Sequence, residues 1–383
     1  MSVTTPSGFT AAGVAAGLKG FDKLDLALVV NEGPLRSAAA VFTSNRAKAN
    51  PIIWSQQVIA DGTVSAIVLN SGGANCFTGS EGFQTTHETA EAVAEALGVS
   101  AGDVLVCSTG LIGEQLDRAK LVAGAQLAAV ERTPRGGDDA ARAIMTTDSK
   151  HKTAVVKRGG YTIGGMAKGA GMLAPGLATM LVVITTDAVL LPDELDAALR
   201  QATRVSFDRL DSDGCMSTND QVTLLASGAS GVEPDQAEFA VALTELCMDL
   251  AFQLQGDAEG ASHDIVIEVM SAATEDDAVE VGRAIARNNL FKAAVFGNDP
   301  NWGRVLAAIG TTRAAFDPYD VDVSMNGVRV CTKGGPDRPR TDVDLRPRQL
   351  LLQLELNAGH AAATILTNDL THDYVHENSA YSS

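Results

Sequence analysis

The sequence has no excess of positive charge. It contains 29 Lys and Arg residues against 47 Asp and Glu residues, which gives a formal net charge of −18 at pH 7. A surface this acidic repels the phosphates of nucleic acids and the headgroups of anionic membranes. We therefore expect no nucleic-acid partner and no membrane partner, although a local basic pocket can still exist inside an acidic shell.

Long hydrophobic runs are also missing. No apolar run approaches the roughly 18 residues that a membrane span needs. The segment 1–20 lacks a charged region followed by an apolar core, as a secretory signal would have. We expect neither membrane insertion nor export.

Cysteines are few and unpaired in sequence. There are five, an odd number, with no Cys-x-x-Cys pair and no histidine at metal-ligand spacing. This pattern favours reduced, buried thiols in a cytoplasmic protein and predicts no metal site. We also expect no cofactor. The five are Cys76, Cys107, Cys215, Cys247 and Cys331.

The chain does contain the alternating elements of a mixed α/β protein, and its length suits two or three domains. Apolar, β-branched runs predict buried strands, and helical spacing of apolar residues predicts helices packed on a sheet. The predicted strands are 26–30, 66–69, 104–107 and 180–185, and the predicted helices are 85–97, 192–202 and 238–255.

The pattern restarts after residue 262. A strand at 265–269, a helix at 276–286 and shorter strands near 321–325 and 350–356 follow. We therefore predict a first domain over residues 1–262 and a smaller α+β domain over residues 263–383. The segment 334–342, GGPDRPRTD, has the composition of a surface loop.

The most unusual segment is the glycine-rich stretch from Gly164 to Ala188. A phosphate-binding loop is excluded on spacing, because Lys168 is followed by Gly169 and the next regular element is a predicted strand rather than a helix. A dinucleotide fingerprint is excluded for the same reason, since it needs a helix N-terminus for the pyrophosphate.

Another interpretation of this stretch makes Thr179 a nucleophile. A threonine hydroxyl is weak without a base, and cleavage of the chain before Thr179 would supply one, the new α-amino group. The small neighbours Gly176 and Ala178 permit a strained turn, and Lys168 adds a positive charge. From this stretch alone, an ordinary strand start at Thr179 remains the simpler interpretation.

Two glycine turns follow predicted strands and suit an oxyanion. Residues 108–113, STGLIG, place a Thr-Gly pair where backbone N–H groups can face a cleft, and residues 70–76, NSGGANC, have the same character. Glu259 lies in a turn after a long amphipathic helix, where a solvated carboxylate is the usual outcome. Each of these signals is weak when taken alone.

Other polar clusters have simple structural explanations. Residues 211–220, DSDGCMSTND, suggest calcium, but they lack the order of an EF-hand loop. Residues 299–304, DPNWGR, predict a capped helix start at Trp302. The polar C-terminal tail would normally fray, but Tyr374, Val375 and Tyr381 are apolar anchors that could dock it.

Taken together, these segments resemble the ornithine acetyltransferase family of arginine biosynthesis, also called bifunctional glutamate N-acetyltransferase. The resemblance extends over nearly the whole chain, and the combination of motifs is specific. In chain order the motifs are NSGGAN at Asn70, STGLIG at Ser108, TTD at Thr146, MAKGAGML at Met166 with LATML ending at Leu181, DSDGCMSTND at Asp211, GDAEGAS at Gly256, DPNWGR at Asp299 and DLTHDYVHENSAYSS at Asp369.

The resemblance implies a layered αββα sandwich with a smaller α+β C-terminal domain, in a precursor that cuts itself between Ala178 and Thr179. It implies an α chain of residues 1–178, a β chain of residues 179–383 and an α2β2 assembly. Thr179 would be the nucleophile, and Thr109 with Gly110 would form the oxyanion hole. The implied substrate-binding positions are Thr146, Lys168, Thr179, Glu259, Asn378 and Ser383.

Three details of this alignment stay open. The tandem threonines leave Thr146 and Thr147 as alternatives. Family members often carry Lys where this chain has His263, and they often end in Thr where it has Ser383. Neither departure touches the nucleophile.

The implied reaction moves an acetyl group from N2-acetylornithine to glutamate through an ester on Thr179, a ping-pong route. The implied partners are therefore small molecules: acetylornithine, glutamate and, for some members, acetyl-CoA. The sequence does not decide whether acetyl-CoA is a donor. Two other classes share some of these features: a self-cleaving threonine amidase or aminopeptidase, and a binding module that is never cut.

Overall fold

The β-branched runs of the first half form strands in the computed structural model, which describes residues 2–20, 22–174 and 180–380. The chain divides into two units. Unit 1 contains Met1–Ala170, Gly176–Phe207 and Met216–Leu254, and unit 2 contains Gly171–Pro175, Asp208–Cys215 and Gln255–Ser383. Five residues singled out above lie outside the described residues: Gly176, Ala178, Thr179, Tyr381 and Ser383.

Unit 1 contains two sheets. Its strands are β1 (Phe9–Val14), β2 (Leu26–Asn31), β3 (Ser37–Phe42), β4 (Ala66–Ser71), β5 (Val104–Thr109), β6 (Lys152–Arg158), β7 (Tyr161–Lys168), β8 (Leu181–Thr186) and β9 (Gln221–Ala226). The first sheet has the order β1-β2-β4-β5, and the second has the order β3-β9-β8-β7-β6. Its helices are α1 (Asn50–Val58), α2 (Gly79–Leu97), α3 (Arg118–Glu131), α4 (Gly137–Ala143), α5 (Pro192–Val205) and α6 (Gln236–Gln255).

The two sheets pack face to face. Val29 and Leu105 from the first sheet share one core cluster with Val183 and Leu225 from the second. The opposite face of the first sheet packs against α2 and α3, because residues of those helices form a second cluster with β2, β4 and β5. Apolar residues on both faces explain why these strands are almost completely buried.

Helix α6 covers the outer face of the second sheet. A Cβ atom added at Gly165 in β7 would lie 3.0 Å from side-chain atoms of both Leu246 and Leu250 of α6. The glycine therefore lets the helix approach the strand closely. The layers are helix, sheet, sheet, helix, which confirms the αββα sandwich that the resemblance implied.

The strand predictions in unit 1 are confirmed, and the error in its helices is mainly at their ends. The four predicted strands correspond to β2, β4, β5 and β8. Helix α2 begins at Gly79 rather than at the predicted residue 85. Its first turn is mostly small and polar, so hydrophobic periodicity does not reveal it.

Unit 2 contains one six-stranded sheet. Its strands are β10 (Asp264–Ala272), β11 (Asp322–Met325), β12 (Val328–Thr332), β13 (Gly335–Pro336), β14 (Gln349–Glu355) and β15 (Ala361–Asn368), in the order β13-β12-β11-β14-β10-β15. Its helices are α7 (Glu275–Ala286), α8 (Asn289–Phe296), α9 (Trp302–Ile309) and α10 (His372–Ala380). Burial alternates along β10, where Ile265, Ile267 and Val269 face the core that α7 covers.

Three smaller expectations need correction. Cys215 is exposed, in a segment outside any helix or strand, whereas the other four cysteines are buried as predicted. Val375 is not an anchor of the tail, since 57% of it is exposed. The predicted loop 334–342 contains the short strand β13.

Among the described residues, no helix is long and apolar enough to cross a membrane.

Candidate active site

The Thr-Gly pair lies where the sequence predicted it, at the end of a buried strand. Thr109 is the last residue of β5 and only 1% of it is exposed. Gly110 has a φ of 132°. A Cβ atom there would lie 2.5 Å from the backbone nitrogen of Gly73, so both the conformation and the space require glycine.

The two weak glycine motifs are neighbours in the fold. Strands β4 and β5 pair in parallel with Asn70 opposite Ser108. The Ser108 hydroxyl donates to Asn70 Oδ1 at 2.6 Å, and the Gly73 amide donates to the Thr109 carbonyl at 3.0 Å. NSGGAN therefore supports the backbone of STGLIG, which neither motif shows by itself.

Lys168 reaches this strand end from the second sheet. It is the last residue of β7, it is 1% exposed, and its Nζ donates to Thr109 Oγ1 at 3.2 Å. Because Lys168 occupies a lone pair of this hydroxyl oxygen, the Thr109 hydroxyl proton remains available for another acceptor. A hydroxyl polarised by an ammonium group is a good donor to a developing oxyanion.

Asp148 is a residue that sequence reasoning missed, although it closes the TTD motif. Its Oδ1 accepts from Lys152 Nζ at 2.6 Å and from the Gly169 amide at 2.7 Å, and its Oδ2 accepts from the Thr146 amide at 3.0 Å. One buried carboxylate thus fixes the backbone at Thr146 and the residue after Lys168.

The ammonium groups beside Asp148 determine whether its carboxyl is ionised. Burial alone would raise the pKa of this carboxyl, but the ammonium groups of Lys168 and Lys152 outweigh burial and lower the pKa to about 2. Asp148 is therefore ionised at neutral pH, and it supplies the negative charge that a buried Lys168 needs.

A second missed pair, Asn219 and Asp220, ends the DSDGCMSTND segment. Asn219 Nδ2 donates to the carbonyls of Ser108 at 2.8 Å and Ala74 at 2.6 Å, and Asp220 Oδ1 accepts from the Met180 amide at 3.0 Å. The only sequence signal was the acidic cluster itself. Within the described residues, no group of three or more His, Cys, Asp or Glu is placed to hold a metal ion.

In unit 2 the structure brings Glu259 and Asn378 together. Asn378 Nδ2 in α10 donates to Glu259 Oε2 at 3.0 Å. Two glycines make room: a Cβ atom at Gly171 would lie 2.4 Å from the Glu259 carboxylate, and one at Gly260 would lie 2.2 Å from the Tyr374 amide. Residues His372–Ala380 of the tail therefore form a helix that contacts Glu259 and Gly260.

Glu259 also lines a cavity of about 250 Å³ within unit 2. Arg287 and Lys292 line it as well, so charges of both signs face the same space. Burial lowers the pKa of Lys292 to about 8, although carboxylates, first among them Asp213, act in the opposite direction. A cavity with this lining can bind a small polar molecule that carries both charges.

His263 occupies the position where the family often has lysine. It is 5% exposed, with Nδ1 2.8 Å from Asp369 Oδ2 and Nε2 2.8 Å from the Leu345 carbonyl oxygen. The Ser262 hydroxyl oxygen also lies 3.0 Å from Nδ1, so both ring nitrogens of His263 have polar neighbours within hydrogen-bond distance.

The remaining predicted site positions are the two tandem threonines, the cleavage point and the C-terminal residue. Thr146 is half-buried and Thr147 is exposed, and the choice between them stays a prediction. Ala178, Thr179 and Ser383 lie outside the described residues, but Met180, the residue after Thr179, lies immediately before β8.

The fold and this site define a class, a four-layer αββα protein with a polarised threonine hydroxyl at the end of a buried strand. The chain belongs to the ArgJ family, whose family model matches residues 10–383. It is similar to the arginine biosynthesis bifunctional protein ArgJ of Streptomyces coelicolor, with 64% identity over 383 residues and 100% of both chains covered.

Another ArgJ protein and two solved structures are also similar to this chain. The ArgJ protein of Mycobacterium leprae is 55% identical over 390 residues, covering 100% of this chain and 96% of its own. Two solved structures are also similar. An ornithine acetyltransferase from Mycobacterium tuberculosis, complexed with ornithine, has 55% identity and a TM-score of 0.45, covering 45% of this chain and 94% of that one. An ArgJ protein from Bacillus halodurans has 32% identity and a TM-score of 0.49, covering 52% and 98%.

Stability should depend on Asp148 in acid. Its pKa of about 2 in the folded state lies below the ordinary value of 3.8, so its contribution is fully present above that value and is lost as the pH falls toward 2. From the size of the shift we expect a loss of about 2 kcal/mol over this range. In Asp148→Asn, the urea midpoint should be lower at pH 7 and should change less between pH 4 and pH 2.5.

The matched control is Asp139→Asn, since 58% of the Asp139 side chain is exposed. This variant should follow the wild-type curve at every pH. An Asp148→Asn curve parallel to the wild-type curve would show that the buried carboxylate is not the acid-sensitive group.

Proposed function

We propose that this protein is an ornithine acetyltransferase of arginine biosynthesis, which moves the acetyl group of N2-acetylornithine to glutamate. Membership of the ArgJ family supports the reaction class. The observation that carries the mechanism is the contact of 3.2 Å between Lys168 Nζ and Thr109 Oγ1, because it prepares a hydroxyl donor at the strand end.

The first proposed step is self-cleavage. The Thr179 hydroxyl attacks the carbonyl of Ala178, the peptide nitrogen leaves as an amine after taking a proton, and water then hydrolyses the resulting ester. The products are a carboxylate at Ala178 and a free α-amino group on Thr179. That amine is the base which the nucleophile lacked before cleavage, since an α-amine has a pKa of roughly 8.

The second proposed step is acetyl transfer. The Thr179 hydroxyl attacks the acetyl carbonyl of N2-acetylornithine while its own α-amine accepts the proton. The Thr109 hydroxyl and the Gly110 amide stabilise the oxyanion. Ornithine leaves with that proton, and the acetyl group remains as an ester on Thr179. Glutamate then attacks the ester through its amine, which gives N-acetylglutamate and restores the hydroxyl.

Substrate recognition is proposed to use Thr146, Lys168, Thr179, Glu259, Asn378 and Ser383. Glu259 suits the side-chain ammonium of ornithine, because its carboxylate is held by Asn378 and lines a cavity. Lys168 is bound to Thr109 and lies beside Asp148, which supports a role near the reacting carbonyl in addition to attracting a substrate carboxylate.

The relatives are called bifunctional, which supports a second activity for this chain. We propose that acetyl-CoA serves as another acetyl donor to glutamate. We also propose that the α and β chains stay together in an α2β2 assembly. A cytoplasmic location stays a prediction from composition.

Self-cleavage should be visible on a denaturing gel. The purified wild-type protein should give two chains that divide at Ala178-Thr179, and Thr179→Ala should give one intact chain, because it lacks the attacking hydroxyl. Mass spectrometry of the smaller fragment should find its C-terminus at Ala178. An active wild-type preparation with a single uncut chain would refute the cleavage step, whereas an uncut chain that forms no acyl-enzyme would favour the binding-module alternative.

Release of the acetyl group should require glutamate. Incubation with N2-acetylornithine labelled in the acetyl group should leave label on the β chain, and adding glutamate should move the label to N-acetylglutamate. Rapid loss of label to acetate without glutamate would identify an amidase instead. Acetyl-CoA supplied with glutamate as the only other substrate measures the second activity.

Removing the Thr109 hydroxyl should impair turnover. Thr109→Val keeps the size of the side chain but deletes the oxyanion donor, so kcat should fall by about a hundredfold or more. Thr109→Ser retains the hydroxyl and serves as the control, with kcat within about tenfold of wild type. Equal kcat values for the two variants would remove the Thr109 hydroxyl from the mechanism.

A further inference from the structure

Asp369 is a buried carboxylate of unit 2 that the proposed mechanism does not use. It follows β15 directly, and its side chain is 0% exposed. Its Oδ1 accepts from the backbone amides of Ser262 and His263, both at 3.0 Å. Its Oδ2 accepts from the Ser262 hydroxyl and lies 2.8 Å from His263 Nδ1. One side chain thus binds four polar groups of a single dipeptide, and such charge-assisted contacts are strong when they are shielded from water.

The dipeptide that Asp369 binds ends the turn that carries Glu259. Helix α6 ends at Gln255 and β10 begins at Asp264, so Glu259 lies in a segment outside any helix or strand. Without a regular ladder of backbone hydrogen bonds, such a segment keeps its conformation through individual contacts. The contacts of Asp369 are therefore among those that decide where the Glu259 carboxylate lies.

The same turn also contacts the C-terminal tail. The Thr371 hydroxyl donates to the Gly260 carbonyl at 2.6 Å, and Asn378 Nδ2 donates to Glu259 Oε2 at 3.0 Å. Asn378 is exposed, so its hydrogen bond competes with water and contributes little by itself. The contacts of Asp369 are buried, and they fix the beginning of the tail against the end of the turn.

Strand pairing gives Asp369 a rigid support. Strands β10 and β15 are antiparallel with Asp264 opposite Asn368, so Asp369 lies just beyond the last pair, next to His263. Asn368 Nδ2 donates to the His263 carbonyl at 3.1 Å, and His263 Nε2 lies 2.8 Å from the Leu345 carbonyl oxygen. A binding group held from the end of a paired strand is placed more accurately than one held by a loop alone.

We propose that Asp369 is a positioning residue for recognition of the acetyl donor: through Ser262 and His263 it holds the turn in the conformation that presents the Glu259 carboxylate, and it fixes the start of the tail that bears Asn378. This inference rests on the proposed function, since it takes Glu259 as the partner of the ornithine ammonium group. Asp369 acts through Glu259, because its own side chain is buried and both of its oxygens are bound.

Asp369→Ala tests this role, because it removes both acceptor oxygens. The KM for N2-acetylornithine should rise by about tenfold to a hundredfold, since a displaced Glu259 binds the substrate less well. The value of kcat should stay close to wild type, because this contact is the same in the ground state and the transition state. Self-cleavage should be unchanged, and the KM for glutamate should change far less, because glutamate has no ammonium group on its side chain.

A double-mutant cycle shows whether Asp369 acts through Glu259. Glu259→Gln alone should raise the KM for N2-acetylornithine. Adding Asp369→Ala to it should raise that KM little further, because the group that Asp369 positions has already lost its charge. Additive effects would mean that Asp369 acts independently of Glu259, and they would overturn the positioning role.

Asp322→Ala is the matched control in the same sheet. The Asp322 side chain is 17% exposed and accepts from the Lys333 amide at 2.8 Å, and β14 and β10 separate its strand β11 from β15. This variant should lower the melting temperature but leave both KM values close to wild type. If Asp369→Ala is insoluble, Asp369→Asn replaces it with a smaller rise in the same KM, since asparagine keeps one acceptor oxygen for the two amides.

Hydrogen exchange gives a measurement that does not depend on turnover. In Asp369→Ala, the amides of α10 should exchange at least about tenfold faster than in wild type, because the start of the tail is no longer held. In Asp322→Ala, they should exchange at the wild-type rate.

The outcomes separate the role of Asp369 from the function beneath it. If wild type does not transfer the acetyl group of N2-acetylornithine, or if Glu259→Gln leaves its KM unchanged, the proposed function or its assignment of Glu259 fails, and the inference fails with it. If wild type is active and Glu259→Gln raises this KM, but Asp369→Ala leaves the KM and the exchange of α10 unchanged, the positioning role is overturned and the proposed function survives.

Discussion

Burial of the Lys168 ammonium at the end of β7 is the constraint on which the site in unit 1 depends. A cation that is 1% exposed must have anionic and hydrogen-bonding partners, or the cost of removing it from water is prohibitive. The first sheet supplies the Thr109 hydroxyl, and the segment after α4 supplies the Asp148 carboxylate. Because this one buried charge needs partners from several segments, one strand end from each sheet and the loop after α4 lie close together.

The strands and helices of unit 1 can be predicted from the sequence because the patterns that define them lie within short segments. Buried strands such as β5 and β8 are continuous apolar runs with β-branched residues, and α6 has a regular apolar face, so periodicity is sufficient to find them. The Thr109-Gly110 turn is also a local signal. The conformation at Gly110 and the absence of space beside Gly73 then explain why that position needs glycine.

Asp148 and Asp220 could not be predicted in the same way. Their partners are far away in sequence: Asp148 binds the Gly169 amide, and Asp220 binds the Met180 amide. An acidic residue near threonines or asparagines looks like a turn or a metal ligand until strand pairing is known. The parallel register of β8 and β9 is what makes Asp220 a neighbour of Met180, and register is a property of the tertiary fold.

A net charge of −18 sets a problem for any protein whose substrates carry carboxylates, because the overall field repels them. The structure meets it with cations that are buried and individually partnered. In unit 1, Lys168 lies beside Asp148, and in unit 2, Lys292 lies near Asp213. Such pairs add little to the field at a distance, but they present a fixed ammonium group at short range, where screening by salt is weak. Under the proposed function, an anionic substrate is recognised by contact inside the site and not by attraction from solution.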